Sequence, residues 1–254
     1  MFRHELRPVK EKPFFLYIPY TAPHFPVQAH PDWKGKSNFG VFGDVVEELD
    51  FRIGEVLKTL EDEKIDKNTI VVFLSDNGPE AKEQASAVPF RGSKWDALEG
   101  GTRVPCIIRY PGVIPAGQES DALITAIDIL PSLSHACGID LKSQTKDTPV
   151  IDGVNVWNTL IGKKDFEHPR KDLMYWHGRN GFHAIRVGDW KLFLNRKGAK
   201  LKEQGEGPVL FHLSDDIDEL KDVSDKYPEK VKEMEQLAEK RLAEINASII
   251  PLAE

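Results

Sequence analysis

Apolar and polar positions follow two rhythms along the chain. In the first part the apolar runs are continuous. Pro13-Phe14-Phe15-Leu16-Tyr17-Ile18-Pro19-Tyr20 reads as a buried strand, and Thr69-Ile70-Val71-Val72-Phe73-Leu74 as one buried on both faces. Between them Val45, Val46, Leu49, Ile53, Val56, Leu57 and Leu60 recur at helical spacing, which predicts a helix over residues 43–61 with Asp44 as N-cap or first-turn acid. Strand–helix–strand alternation points to an α/β domain with a parallel sheet. Cys106–Tyr110 reads as another strand, closed by Pro111-Gly112. Residues 125–137 read as a helix with Pro131 in its first turn and Gly138 as its stop, and Val154–Ile161 as a short helix. Beyond about residue 168 the rhythm shortens. Leu173–Trp176, His183–Val187, Trp190–Leu194 and Val209–Leu213, with turns such as Gly188-Asp189 between them, predict an antiparallel sheet. Residues 228–247 form an amphipathic pattern with Val231, Met234, Leu237, Leu242 and Ile245 on one face, expected to pack on that sheet. The polar stretch 140–152 marks a junction, so the expected domains are 1–150 and 151–254.

Composition narrows the partners. With 40% hydrophobic and 30% charged residues, the chain of 254 residues has the make-up of a soluble globular protein. A net charge of −7 without a basic stripe argues against nucleic acid. No apolar run approaches the roughly 20 residues that span a bilayer. Met1-Phe2-Arg3-His4-Glu5-Leu6 lacks the apolar core of a secretion signal, and the compartment stays open. Cys106 and Cys137 show no C-x-x-C spacing and are expected to be buried structural residues.

The candidate chemistry gathers after strands and in one loop. Thr69–Leu74 ends in Ser75-Asp76-Asn77-Gly78-Pro79, which places a carboxylate and an amide carbonyl where ligands collect in open α/β sheets. Both are hard oxygen donors suited to Ca²⁺ or Mg²⁺, although the same residues also make an ordinary Asx turn. Pro13–Tyr20 runs into Ala22-Pro23-His24-Phe25-Pro26, where two prolines restrict the backbone around a histidine. Arg91-Gly92-Ser93-Lys94-Trp95 leads to Glu99-Gly100-Gly101-Thr102-Arg103-Val104-Pro105. Glycines there let the backbone approach an anion, and Lys94 offers a mobile point charge.

With the late Ala184-Ile185-Arg186-Val187-Gly188-Asp189-Trp190-Lys191-Leu192, these segments fall in an order that resembles the C-terminal half to two-thirds of a type I sulfatase, of the arylsulfatase A and N-acetylgalactosamine-6-sulfatase kind, within the alkaline phosphatase superfamily. The resemblance covers roughly Lys12 to Tyr227. It implies the second half of a mixed-sheet α/β domain, followed by a small domain with a four-stranded antiparallel sheet and a helix. It implies Asp76 and Asn77 as metal ligands, usually for Ca²⁺, and Lys94 and His24 as catalytic and substrate-binding residues on the sulfate. Arg103 takes a loop-holding role, and His177 and Arg179 stand where the small domain reaches the substrate pocket. Such chemistry fits a sulfate ester, whose cleavage pushes negative charge onto the leaving oxygen: Lys94 meets that charge, and a protonated His24 gives the proton.

The family nucleophile is a formylglycine made within Cys/Ser-x-Pro/Ala-x-Arg. Cys106 is followed by Ile-Ile-Arg, Cys137 by Gly-Ile-Asp, and Ser86-Ala87-Val88-Pro89 has its proline one place late, so the motif is absent from this sequence, as is the early Asp-Asp pair of metal ligands. The expectation is a C-terminal part of a sulfatase, carrying half of a metal and sulfate site, not turning over substrate alone and partnered by a missing N-terminal half. A phosphodiester or phosphonate hydrolase of the same superfamily, and a non-catalytic binding module or inert fragment, are the alternatives. The expected substrate is a sulfate ester, either an aryl sulfate or a sulfated sugar.

Overall fold

The computed structural model describes residues 12–80, 85–144, 151–177, 181–201 and 206–248. The chain divides into two compact units: Met1–Phe73, Glu80–Ser86 and Ile107–Ala116 form one, and Leu74–Pro79, Ala87–Cys106 and Gly117–Glu254 the other.

Helix α1, Gly40–Asp62, dominates the first unit and includes the predicted stripe. Val45 and Leu60 are buried, whereas Leu49, Ile53, Val56 and Leu57 are half-buried. Asp44 does not cap its own helix. Its buried carboxylate accepts the Gly35 and Ser37 N–H groups, each at 2.8 Å, and so ties the preceding loop to the helix. Those N–H donors hold its carboxyl below the usual range.

Strand β1, Val71–Leu74, is followed by a short helix α2, Glu99–Thr102, and by β2, Cys106–Arg109, which pairs with β1 in a two-stranded sheet. With one neighbouring strand, β1 is half-buried rather than buried on both faces. Two further expectations fail here. Pro13–Tyr20 forms no strand among the described residues: Phe15 is 83% and Tyr17 75% exposed, because an apolar extended segment orders as a strand only when a neighbour supplies its hydrogen bonds. Cys106 and Cys137 are both exposed free thiols, since β2 turns Cys106 outward and Cys137 lies beyond the last turn of its helix.

In the second unit, α3 covers Ile129–Ala136, with Pro131 in the first turn. Gly138, at φ +71°, ends it by donating to the His135 carbonyl. Two short helices follow, α4 at Leu141–Gln144 and α5 at Trp157–Leu160. Strands β3, Asp172–Trp176, β4, Phe182–Val187, β5, Trp190–Phe193, and β6, Val209–His212, form an antiparallel sheet in sequential order. Helix α6 covers Pro228–Ser248.

Alternation along these strands fills both faces. Ile185, Leu192 and Leu210 pack with Val231, Met234 and Ala238 of α6. Ala184, Phe193, Val209 and Phe211 turn the other way and pack with Ala97 and Leu98, just before α2. A sheet covered on both sides needs apolar residues at successive positions, hence the near-continuous runs. Each fully buried Phe or Leu contributes about 1.5–3 kcal/mol. One joint outside the sheet is polar: the buried Asp128 carboxylate accepts the Thr125 and Val154 N–H groups and pairs with Arg170, whose Nε lies 2.8 Å from Oδ2.

Candidate functional site

Asp76 and Asn77 begin the turn that leaves β1. Asp76 is exposed and Asn77 half-buried. The Asn77 amide nitrogen donates to the Gly78 carbonyl at 2.8 Å, which fixes the amide plane and turns its oxygen away from that carbonyl. Gly78 is buried, and its N–H donates to the Gly101 carbonyl at 2.9 Å. A Cβ at Gly78 would meet the Gly100 oxygen at 1.9 Å, so no other residue lets the turn and the glycine-rich loop come this close.

Lys94 belongs to the same assembly. Its N–H donates to the Pro79 carbonyl at 2.8 Å. The loop around it is pinned by Asp96, whose carboxylate accepts the Ser93 N–H at 2.9 Å and pairs with Lys200. Trp95 stands at φ +78°, a left-handed backbone uncommon for a large residue, and its ring lies 5.4 Å from the Lys94 Nζ. The structure thus joins Asp76, Asn77 and Lys94 through a backbone stitch. Arg103 stacks over the Phe90 ring at 4.7 Å, which holds the far end of the loop.

His24 lies in the other unit and is exposed. Its Nδ1 donates to the Phe25 carbonyl at 2.9 Å. His177 follows β3, donates its N–H to Gly181 O at 3.1 Å and stacks on His183 with ring centroids 5.0 Å apart. The register shifts after Tyr175↔Ala184 to Trp176↔Phe182, so His183 is the extra residue of a β-bulge. Burial, with His177 and Lys197 nearby, pushes the His183 imidazole below its usual value. Arg179 lies outside the described residues.

Two of the motifs meet in a way that sequence did not foretell. Glu99, first residue of α2, lies 2.8 Å through Oε1 from the Nζ of Lys191 and 3.1 Å through Oε2 from Arg186. Lys191 also lies 3.0 Å from Glu219 Oε1, and Glu219 Oε2 accepts the Glu99 N–H at 2.7 Å. All three of Glu99, Lys191 and Glu219 are at most 1% exposed. Burial pushes the Glu99 carboxyl up, but Lys191 and Arg186 outweigh it and hold the group below the usual range. For Glu219 burial wins, and the carboxyl is raised. Arg91 adds a link, donating to the backbone carbonyls of Ala199 and Glu219. The available signal was Lys191 itself, a charge between Trp190 and Leu192 in an apolar strand.

The family model described as Sulfatase matches residues 2–139. The chain belongs to the sulfatase family. It is 34% identical over 249 residues to the N-acetylgalactosamine-6-O-sulfatase of Bacteroides thetaiotaomicron, with 91% of this chain and 47% of that protein covered. A Bacteroides thetaiotaomicron structure solved for work on glycosaminoglycan metabolism superposes with a TM-score of 0.79 at 33% identity, over 94% of this sulfatase chain and 52% of its own. A second structure, in complex with its substrate D-glucosamine-2-N,6-O-disulfate, gives a TM-score of 0.59 at 26% identity, over 83% of this chain and 43% of its own. This sulfatase chain therefore spans about half the length of such relatives, and what it aligns with is their C-terminal portion.

Proposed function

We propose that this chain supplies the C-terminal part of a sulfatase active site that hydrolyses sulfate esters of sugars, and that it turns over substrate only with a formylglycine-bearing N-terminal part, on the same chain or a separate one. The observation that carries this is the stitch between the Asp76–Pro79 turn and the Lys94 loop through Gly78 N–H to Gly101 O and Lys94 N–H to Pro79 O. It ties the backbone that carries two oxygen donors, Asp76 and Asn77, to the backbone that carries the Lys94 ammonium. The sugar preference follows from the relatives, an N-acetylgalactosamine-6-O-sulfatase and an enzyme bound to a glucosamine disulfate.

In this proposal Asp76 and Asn77 hold part of a divalent cation's shell. Hard carboxylate and amide oxygens suit Ca²⁺ or Mg²⁺, and two of the six to eight donors Ca²⁺ takes come from this turn. When bound, such a cation polarises the sulfuryl oxygens. Lys94 places positive charge where negative charge develops on the ester. The family resemblance gives His24 a hydrogen bond to the sulfate near the leaving oxygen, where a protonated imidazole gives its proton to the departing alcohol. His177 and Arg179 are proposed contacts to the sugar. The apolar residues exposed on the first unit, Phe15, Tyr17, Phe25 and Phe39 among them, are the proposed seat of the N-terminal part.

The test is a chimera in which this chain replaces the equivalent part of the Bacteroides thetaiotaomicron relative, assayed on a sugar 6-sulfate, an aryl sulfate and an aryl phosphodiester. Sulfate-ester turnover that falls about 100-fold or more in Lys94→Ala supports the proposal. Turnover indifferent to Lys94 and Asp76 overturns it, and a preference for the phosphodiester moves the chain to phosphoryl chemistry.

A further inference from the structure

Glu99, Lys191 and Glu219 are buried charges with no place in the sulfate chemistry proposed above. Buried ion clusters are poor devices for stability, because removing the charges from water offsets most of their attraction, and an apolar trio of similar volume holds a core as well. Their position is more informative than their energy. Glu99 is the first residue of α2, and the next two residues are Gly100 and Gly101. These glycines have no slack. A Cβ on Gly100 would lie 2.6 Å from the Arg91 and Gly92 oxygens, and one on Gly101 would lie 2.3 Å from Asp96 O. Gly101 O in turn receives the Gly78 N–H, so a shift of Glu99 passes directly to the Asp76–Pro79 turn.

The other end of the loop is held from the same place. Arg91 donates to the carbonyl of Glu219, and the Arg91 carbonyl accepts the Gly100 N–H at 2.8 Å. Glu219 stands at φ +53°, a region uncommon for residues with a side chain, while its carbonyl takes Arg91 and its carboxylate takes the Glu99 N–H. Lys191, from β5, is thereby the hub to which both ends of the glycine-rich loop are tied. Its ammonium lies 4.4 Å from the centroid of the Tyr175 ring and 5.4 Å from that of Phe193, which closes it off from the sheet side.

We propose that Lys191 is a positioning residue: through Glu99 and Glu219 it sets the placement of the glycine-rich loop on the small sheet, and hence where Lys94 and the Asp76–Asn77 turn stand. The mechanical half concerns the loop alone. The functional half rests on the sulfatase reading of Lys94, Asp76 and Asn77.

The experiment is residue-by-residue amide hydrogen exchange by NMR on the full chain, comparing wild type with Lys191→Met, the isosteric Glu99→Gln and the control Met234→Ala. Met234 packs between the sheet and α6, away from the cluster, so its truncation destabilises the unit without touching the tie. The expected result is at least ten-fold faster exchange at Gly78, Lys94, Gly100 and Gly101 in Lys191→Met and in Glu99→Gln, beyond any change at α6 amides. Met234→Ala should accelerate α6 at least as much as the loop. If Lys191→Met does not fold, Glu99→Gln alone decides. Loop and α6 amides that change in step in the cluster variants overturn the proposal, because a merely structural cluster loosens the unit evenly. None of these outcomes depends on turnover, so an inactive chimera with a selectively loosened loop rejects the sulfatase reading and leaves the positioning role standing.

Discussion

The small sheet of the second unit and the apolar segments of the first are covered to very different extents. In the second, the sheet β3–β6 has α6 on one face and Ala97, Leu98 and Leu213 on the other, and residues such as Ile185, Phe193 and Phe211 are fully buried. In the first, Phe15 is 83%, Phe39 80% and Phe25 69% exposed, and among the described residues the buried core is little more than Ala29, Val45 and Leu60. Hydrophobic pattern states what an element requires, not whether the same chain provides it. Where both faces are provided, the interior is dry enough for single charges to matter. Where they are not, aromatic residues add nothing to the stability of the unit that carries them.

The largest effect expected from this contrast is at Lys191. Lys191→Met leaves the Glu99 and Glu219 carboxylates facing each other without the cation between them and should cost the second unit about 3–5 kcal/mol in denaturant unfolding. A loss below about 1 kcal/mol would mean that water reaches the cluster, and the dry-core half of the comparison would fail.

Asp128 comes next. Burial raises its carboxyl, but Arg170 and the Val154 and Thr125 N–H groups outweigh that and hold it below the usual range. Its stabilising contribution is therefore complete above the unfolded value of about 3.9 and is lost as pH falls through the lowered folded value. Asp128→Asn should cost about 2–3 kcal/mol at pH 7, with the gap to wild type closing in urea titrations taken below pH 4. A gap that stays constant with pH would assign the loss to packing.

Two glutamates a few ångströms apart then give a sharper test, since their signs differ. Glu99 is lowered, so its contribution is present above the unfolded carboxylate value, about 4.3, and lost as pH falls through the folded value. Glu219 is raised, so its contribution is present below about 4.3 and lost as pH rises through the folded value. Glu99→Gln should destabilise at pH 7, whereas Glu219→Gln should leave stability equal at pH 4 and raise it at pH 7. Destabilisation by both at pH 7 would show that Lys191 needs two negative partners.

What the sequence revealed follows the same division. The small sheet and α6 were legible to within a residue or two, because period-two and period-3.6 patterns are satisfied locally. Asp76, Asn77 and Lys94 were legible as motif residues, but the reason they come together, the close approach at Gly78, exists only in three dimensions. Lys191 and Glu99 stand 92 residues apart, and the Glu99 amide and Glu219 carboxylate 120, so no local spacing announces the cluster. The strand expected at Pro13–Tyr20 and the burial expected for both cysteines failed because each assumed neighbours that the pattern alone does not supply.

The smallest expected change in stability is at Phe15 and Tyr17. Replacing both with Ser should alter unfolding by no more than about 0.5 kcal/mol, the range of exposed sites, whereas Phe211→Ala in the second unit should cost about 3–5 kcal/mol. The double variant should still change behaviour, lowering light scattering at high concentration because it removes exposed apolar surface that invites association. In the chimera the same change should weaken the union of the two parts, seen as lost thermal stability and turnover, since there the aromatic rings have something to pack against. A chimera indifferent to Phe15 and Tyr17 would mean that this surface is not the seat of the N-terminal part. A large loss of stability in the chain alone would mean that the first unit has a core of its own, and the difference between the units would narrow to one of degree.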